Sequence, residues 1–111
     1  MSTIFKQIID KEIPAKIVYE DENAMAFHDL RPKAPTHILV IPKKEISQMS
    51  AMGEGDKELI GHLYWVANEV AKKEGITDYR LVVNNGEGAG QEVFHLHIHL
   101  LGGRSFSWPP G

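Results

Sequence analysis

Between Val93 and Leu101 the chain alternates polar and apolar side chains with a period of two. His95, His97 and His99 occupy one set of positions, and Phe94, Leu96, Ile98 and Leu100 the other. Strand side chains point to opposite faces in turn, so the pattern predicts a strand over Val93–Leu101 with three imidazoles on one face. Successive imidazoles are then about 6.6–6.8 Å apart along the strand. They can line one cleft but cannot meet at one atom unless the strand bends.

The rest of the 111-residue chain arranges itself around that strand. Thr3 to Lys11 has apolar residues at Ile4, Phe5, Ile8 and Ile9 behind a threonine N-cap, a short helix ended by the Ile13-Pro14 step. Lys16–Glu20 and Ala24–His28, joined by Asp21-Glu22-Asn23, predict a hairpin. Arg31-Pro32-Lys33-Ala34-Pro35 is a loop, and the β-branched run His37–Ile41 predicts a strand covered on both faces. Asp56 to Glu74 carries the stripe Leu59, Leu63, Val66, Ala67, Val70 and Ala71, a long helix with Gly75 at its end. Gly61, inside that helix, marks either a close helix contact or simple tolerance. Tyr79–Asn84 predicts a further strand, and Asn84–Gly90 a glycine-rich turn. No linker or repeat divides residues 1–111, which gives one α+β domain with a mainly antiparallel sheet, one long helix and one short one.

Composition removes several function classes. The chain has no cysteine, which excludes disulfides, cysteine zinc sites and thiol nucleophiles. Twelve Lys+Arg against 15 Asp+Glu gives −3, so there is no basic footprint for nucleic acid. Nothing reads as a membrane span or signal peptide, and the expected setting is cytoplasmic, or also nuclear in a eukaryotic cell.

Three readings of the histidine strand remain open. It is a half-buried strand with a polar face, a metal site completed by Glu92, Asp29 or His37, or a site of nucleophilic catalysis by imidazole. A neutral imidazole is nucleophilic at physiological pH. Gly86, Gly88 and Gly90, just before the strand, would let backbone N–H groups approach an oxyanion or phosphate.

His95-Leu96-His97-Ile98-His99-Leu100-Leu101 resembles the signature of the histidine-triad (HIT) superfamily. The likeness extends through Phe27-His28-Asp29, Ala34-Pro35-Thr36-His37-Ile38-Leu39-Val40-Ile41-Pro42, Val82-Val83-Asn84, Gly90-Gln91-Glu92-Val93 and Leu101-Gly102-Gly103-Arg104. Ile4-Phe5, Glu12-Ile13-Pro14-Ala15 and Trp108-Pro109-Pro110-Gly111 make it most similar to the histidine-triad nucleotide-binding proteins, the purine nucleoside phosphoramidase branch.

That resemblance implies a HIT-like fold with its sheet continued across a homodimer. It implies His97 as the nucleophile, attacking the α-phosphorus of a purine nucleoside phosphoramidate and releasing the nucleoside monophosphate and amine. Aminoacyl-adenylates are a second substrate class it implies. His99 would hydrogen-bond a phosphate oxygen, while His95 and His37 would orient His97 and handle protons. Asn84 and the Gly90, Gln91 and Glu92 backbone would contact phosphate and nucleoside. Asp29 would accept both ribose hydroxyls, and Ile4, Phe5, Ile8, Phe27 and Leu30 would form the purine slot. No metal or cofactor is implied, and neither is a nucleic-acid or membrane partner. Rival readings are a metal-dependent hydrolase and a non-catalytic nucleotide-binding scaffold. Glu92 stands where animal members carry serine, and a carboxylate beside phosphate adds repulsion. His28 and His62 are expected to be bystanders, His62 pairing with Glu58 one turn earlier. The tail, residues 105–111, with Phe106 and Trp108, would pack near the partner subunit's site.

Overall fold

A computed structural model describes residues 2–111; Met1, which the sequence reading includes in the domain, lies outside the described residues. Helix α1 spans Ile4–Ile9, and the Thr3 hydroxyl accepts the Lys6 N–H at 3.1 Å, the expected N-cap. The helix stops short of the expected Lys11. Lys11 itself takes φ 61°, and its N–H closes on the Ile8 carbonyl. A left-handed residue thus ends the helix before Pro14 can act.

Strands β1 (Ile17–Glu20) and β2 (Ala24–His28) form the expected hairpin. One Asp21 oxygen, Oδ1, accepts the N–H groups of Asn23 and Ala24 at 2.7 Å each, which makes the turn. With β3 (Thr36–Pro42), β4 (Tyr79–Val82) and β5 (Ile98–Gly102), they form one antiparallel sheet in the order β1-β2-β3-β5-β4.

Both faces of β3 are covered, as its β-branched run predicts. Ile38 and Val40 join Ala24, Ala26, Ile98 and Leu100 against Leu63, Val66, Ala67 and Val70 of helix α2 (Lys57–Lys73). Leu39 and Ile41 join Met25 and Phe27 against Phe5 and Ile8 of α1. Full burial of each such aliphatic side chain is worth about 1.5–3 kcal/mol. The histidines lie on the α1 face. Gly75, at φ 73°, follows α2 as expected. A Cβ on Gly61 would meet nothing within 4 Å, so no close contact among the described residues explains it.

β5 is shorter than the predicted strand. Its last pair with β3 is Val40↔Ile98; residues 93–95 form a bend, and 96–97 pair with no strand. The ladder ends because the next β3 position on that side is taken up otherwise: Pro42 has no N–H, and its carbonyl accepts from the His95 ring. Phe94 is consequently 40% exposed, not packed with Leu96, Ile98 and Leu100. β4 likewise ends at Val82, two residues early.

His62 is also placed differently from expectation. Its Nε2 lies 2.6 Å from Asp21 Oδ2, 41 residues away, and its ring stacks on Trp65. It therefore ties α2 to the hairpin instead of pairing with Glu58. No helix among the described residues is long and apolar enough to cross a membrane.

Candidate active site

β5 runs between β3 and β4 and so sets Leu39 opposite His99 and His37 opposite Leu101. His37 and His99 are then diagonal neighbours on one face, within reach of each other. His37 Nε2 lies 2.9 Å from His99 Nδ1, and the His97 and His99 ring centroids are 4.8 Å apart. Phe5 meets the His97 ring edge-on at 5.0 Å, so α1 closes the site from the side opposite α2.

The hydrogen bonds decide which ring nitrogens carry protons. A neutral imidazole has one N–H and one lone pair. The Lys33 N–H donates to His37 Nδ1 at 3.0 Å, so the His37 proton sits on Nε2 and is donated to His99 Nδ1. The His99 proton is therefore on Nε2. His97 Nδ1 lies 2.7 Å from the His95 carbonyl, which can only accept; its proton is on Nδ1 and its Nε2 keeps a lone pair. His95 Nε2 donates to the Pro42 carbonyl at 2.7 Å.

These assignments hold for neutral rings, and burial keeps the rings neutral. Burial is the main cause lowering the proton affinity of His37, His95 and His97. In His99, burial followed by the neighbouring His97 and His37 brings the value down to about 4. At pH 7 the site thus presents one bare nitrogen, on His97, and one N–H donor, on His99.

A cleft of about 330 Å³ opens over this pair, within the size of small-ligand sites. His37, His97, His99, Asp29, Asn84, Gly90 and Glu92 line it, together with Ile4, Phe5, Ile8, Phe27 and Leu30. The apolar residues serve twice. Phe5, Ile8 and Phe27 are buried core as well as cleft wall, whereas Leu30 stands 86% exposed at the rim. Asp29 Oδ1 accepts the Arg31 N–H at 2.8 Å, and Oδ2 lies 3.5 Å from His37 Nε2.

Two expected site residues do not reach the cleft. The His95 ring is packed behind it, 2% exposed, and its carbonyl rather than its imidazole orients His97. Gln91 is 3% exposed. Its side-chain amide donates to the Ser47 and Val93 carbonyls and its Oε1 accepts the Gly86 N–H.

The glycine turn is also more self-contained than expected. Gly86 and Gly90 take φ near 93° and 94°, where only glycine is at ease. The N–H groups of Gly90 and Gln91 close the turn on Glu87 and Gly86. Among the described residues, the Glu92 N–H at the cleft wall has no intrachain acceptor.

Sequence reading missed other contributors. His28 borders the cleft rather than standing away from it, and Ile13, Pro14, Ala15, Leu39 and Val93 line it too. Lys33 acts through its backbone N–H, which no side-chain pattern announces.

Comparison with known proteins gives the family. Residues 10–106 match the HIT domain family. The chain belongs to the HIT domain family. It is 59% identical over 110 residues to an uncharacterised HIT-like protein of Synechocystis, covering 98% of this chain and 96% of that one. It is 52% identical over 112 residues to a protein of Zea mays named as a 14 kDa zinc-binding protein, covering 98% and 88%. A HIT family hydrolase from Legionella pneumophila superposes with a TM-score of 0.96 at 48% identity, covering 99% of this chain and 100% of that one. A histidine triad nucleotide-binding protein from Candida albicans superposes with a TM-score of 0.81 at 30% identity, covering 97% and 83%. The HIT fold expected from the sequence is the fold observed, as one five-stranded antiparallel sheet with a long and a short helix.

Proposed function

We propose that this chain is a nucleotide-directed hydrolase that cleaves P–N bonds of purine nucleoside phosphoramidates through a nucleotidyl-His97 intermediate. The observation that carries the reading is the His97 Nδ1–His95 carbonyl bond, which leaves His97 Nε2 unprotonated in a ring lining the cleft. That lone pair attacks the α-phosphorus. A new P–N bond forms to His97 while the bond to the leaving amine breaks, and the departing nitrogen takes a proton from the solvent-open cleft. Water then attacks the same phosphorus, the bond to His97 breaks, and the nucleoside monophosphate leaves with the ring restored. Throughout, the His99 Nε2–H donates to a phosphate oxygen. Aminoacyl-adenylates fit the same steps, with a carboxylate leaving in place of the amine.

The walls fit the rest of such a substrate. Asp29 keeps Oδ2 for ribose hydroxyls, and the Phe5, Ile8 and Phe27 surface suits a flat purine. Asn84, Gly90 and the Glu92 N–H line the same cleft and would contact phosphate and nucleoside. Gln91 serves by holding the turn. A homodimer belongs to the same reading: β4 is a sheet edge, and Tyr64 and Trp65 stand exposed on α2. So does a cytoplasmic setting.

Trapping tests the reading. Acid quench of adenosine 5′-phosphoramidate turnover should give a nucleotidyl adduct on His97 by mass spectrometry, and His97→Ala should abolish both adduct and turnover. Wild-type turnover in His97→Ala sinks the mechanism, and turnover no faster than buffer favours a binding or scaffold role.

One observation favours a metal-dependent alternative. Ligand atoms of Asp29, His37 and His99 lie within 4.8 Å of one another, and the maize relative is named for zinc. The 2.9 Å between the His37 and His99 nitrogens suits a hydrogen bond better. Two ligands on a tetrahedral zinc at about 2.0–2.1 Å sit roughly 3.3 Å apart. Full activity of a metal-free preparation in chelator removes this alternative, and loss restored by zinc establishes it.

A further inference from the structure

The Gly103-Arg104 turn after β5 has no part in the mechanism above, yet its contacts lead into the site. Gly103 has φ 90°, and a Cβ there would fall 2.8 Å from Pro35 Cβ. The turn therefore rests directly on the 31–35 loop, in a conformation glycine takes easily. Arg104 extends the contact by donating to the Lys33 carbonyl at 3.1 Å. Its guanidinium lies 4.3 Å from the Phe106 ring centroid, and Arg80 lies 5.1 Å from the same centroid. Lys33 is thus held through its carbonyl, while its N–H is the group that donates to His37 Nδ1 at 3.0 Å.

That donor, together with the Asp29 carboxylate 3.5 Å from His37 Nε2, sets the direction of the His37–His99 pair. With it in place, His37 carries its proton on Nε2, and His99 carries its own on Nε2. Without it, the His37 proton can sit on Nδ1 instead. His37 Nε2 then becomes an acceptor, and His99 must place its proton on Nδ1 to keep the 2.9 Å bond. The cleft would then meet a bare His99 nitrogen, which repels a phosphate oxygen instead of donating to it.

We infer that Arg104 is a positioning residue: by fixing Lys33 it holds the His37–His99 pair in the tautomer that offers an N–H to the substrate's phosphate. The effect on turnover rests on the hydrolase reading, but the tautomer is a property of the free protein. Arg104 is exposed at the surface, also donates to the Ser105 carbonyl at 3.1 Å, and reaches the site through Lys33.

Long-range ¹H–¹⁵N correlation spectra of the ligand-free protein report which ring nitrogens carry protons. Three proteins decide the matter: wild type, Arg104→Met and Arg80→Met. Arg104→Met keeps an aliphatic side chain beside Phe106 but loses the donors to the Lys33 and Ser105 carbonyls. Arg80→Met removes the other guanidinium from Phe106, with its bond to the Ser107 carbonyl of the tail, and leaves the Lys33 bond alone. Wild type and Arg80→Met should show His37 and His99 protonated on Nε2 only. Arg104→Met should show a mixture, with kcat lowered about three- to tenfold, the worth of one hydrogen bond. An unchanged tautomer in Arg104→Met overturns the inference. So does an equal disturbance in Arg80→Met, since the tail packing rather than the Lys33 bond would then be responsible. If the spectra change as expected and wild type turns over no phosphoramidate, the hydrolase reading fails while the structural coupling stands.

Discussion

Replacing His99 by glutamine isolates the energetic consequence of burying an imidazole in this site. Burial, with His97 and His37 alongside, holds the His99 ring down to about 4, against about 6.5 for a free histidine. Between those values the unfolded chain binds a proton at this ring and the folded chain does not. Stability therefore falls as the pH drops from about 6.5 to about 4 and is unaffected by this group above that window. At about 1.4 kcal/mol per pH unit the span corresponds to ~3 kcal/mol. The ring is only partly buried, and solvent screening reduces the effect to ~2 kcal/mol. Urea unfolding of wild type and His99→Gln at several pH values across that window measures it, because the amide does not titrate. The stability advantage of wild type over the variant should shrink by ~2 kcal/mol from neutral pH to pH about 4. Parallel stability curves would refute the argument that the fold holds this ring neutral below its free-histidine value.

Three further outcomes follow from single contacts. Asp29→Ala should abolish discrimination between ribose and 2′-deoxyribose substrates in kcat/KM, and unchanged discrimination reassigns that residue. Gln91→Leu strands the Gly86 N–H and the Ser47 and Val93 carbonyls, so unfolding experiments should show a loss of about 2–3 kcal/mol, whereas a loss near zero would mean the turn holds itself. Gly102→Ala places a Cβ 2.8 Å from Ile76 Cγ2; thermal melts should show a cost of about 1–3 kcal/mol, partly relieved by adding Ile76→Ala. Failure of the second substitution to recover stability would place the strain elsewhere.

The order of elements was legible because each is written in local chemistry. Thr3 caps α1, Asp21 makes the hairpin turn, and the stripe from Leu63 to Ala71 needs only helical periodicity to be seen. The polar network was less legible, because its decisive partners are backbone groups. Nothing in the side-chain pattern says that the Lys33 N–H will meet His37, that the Pro42 carbonyl will take His95, or that the His95 carbonyl will take His97. His62 shows the same limit: helical spacing offered it Glu58, while the fold gave it Asp21 from the far side of the domain.

By itself the sequence predicted three histidines on one strand face, of which β5 carries only His99, and it determined that His37 would stand on a buried strand. Alternation with period two and β-branched runs are properties of the local chain, and they survive any packing that keeps the strands. Only the tertiary structure made the histidines unequal. Setting β5 between β3 and β4 brought His99 to His37, and the end of the ladder at Pro42 turned His95 inward. Burial then kept each ring neutral, with a single N–H. A row of similar rings became one bare nitrogen and one donor, because hydrogen-bond partners contributed by distant segments decide where each imidazole keeps its hydrogen.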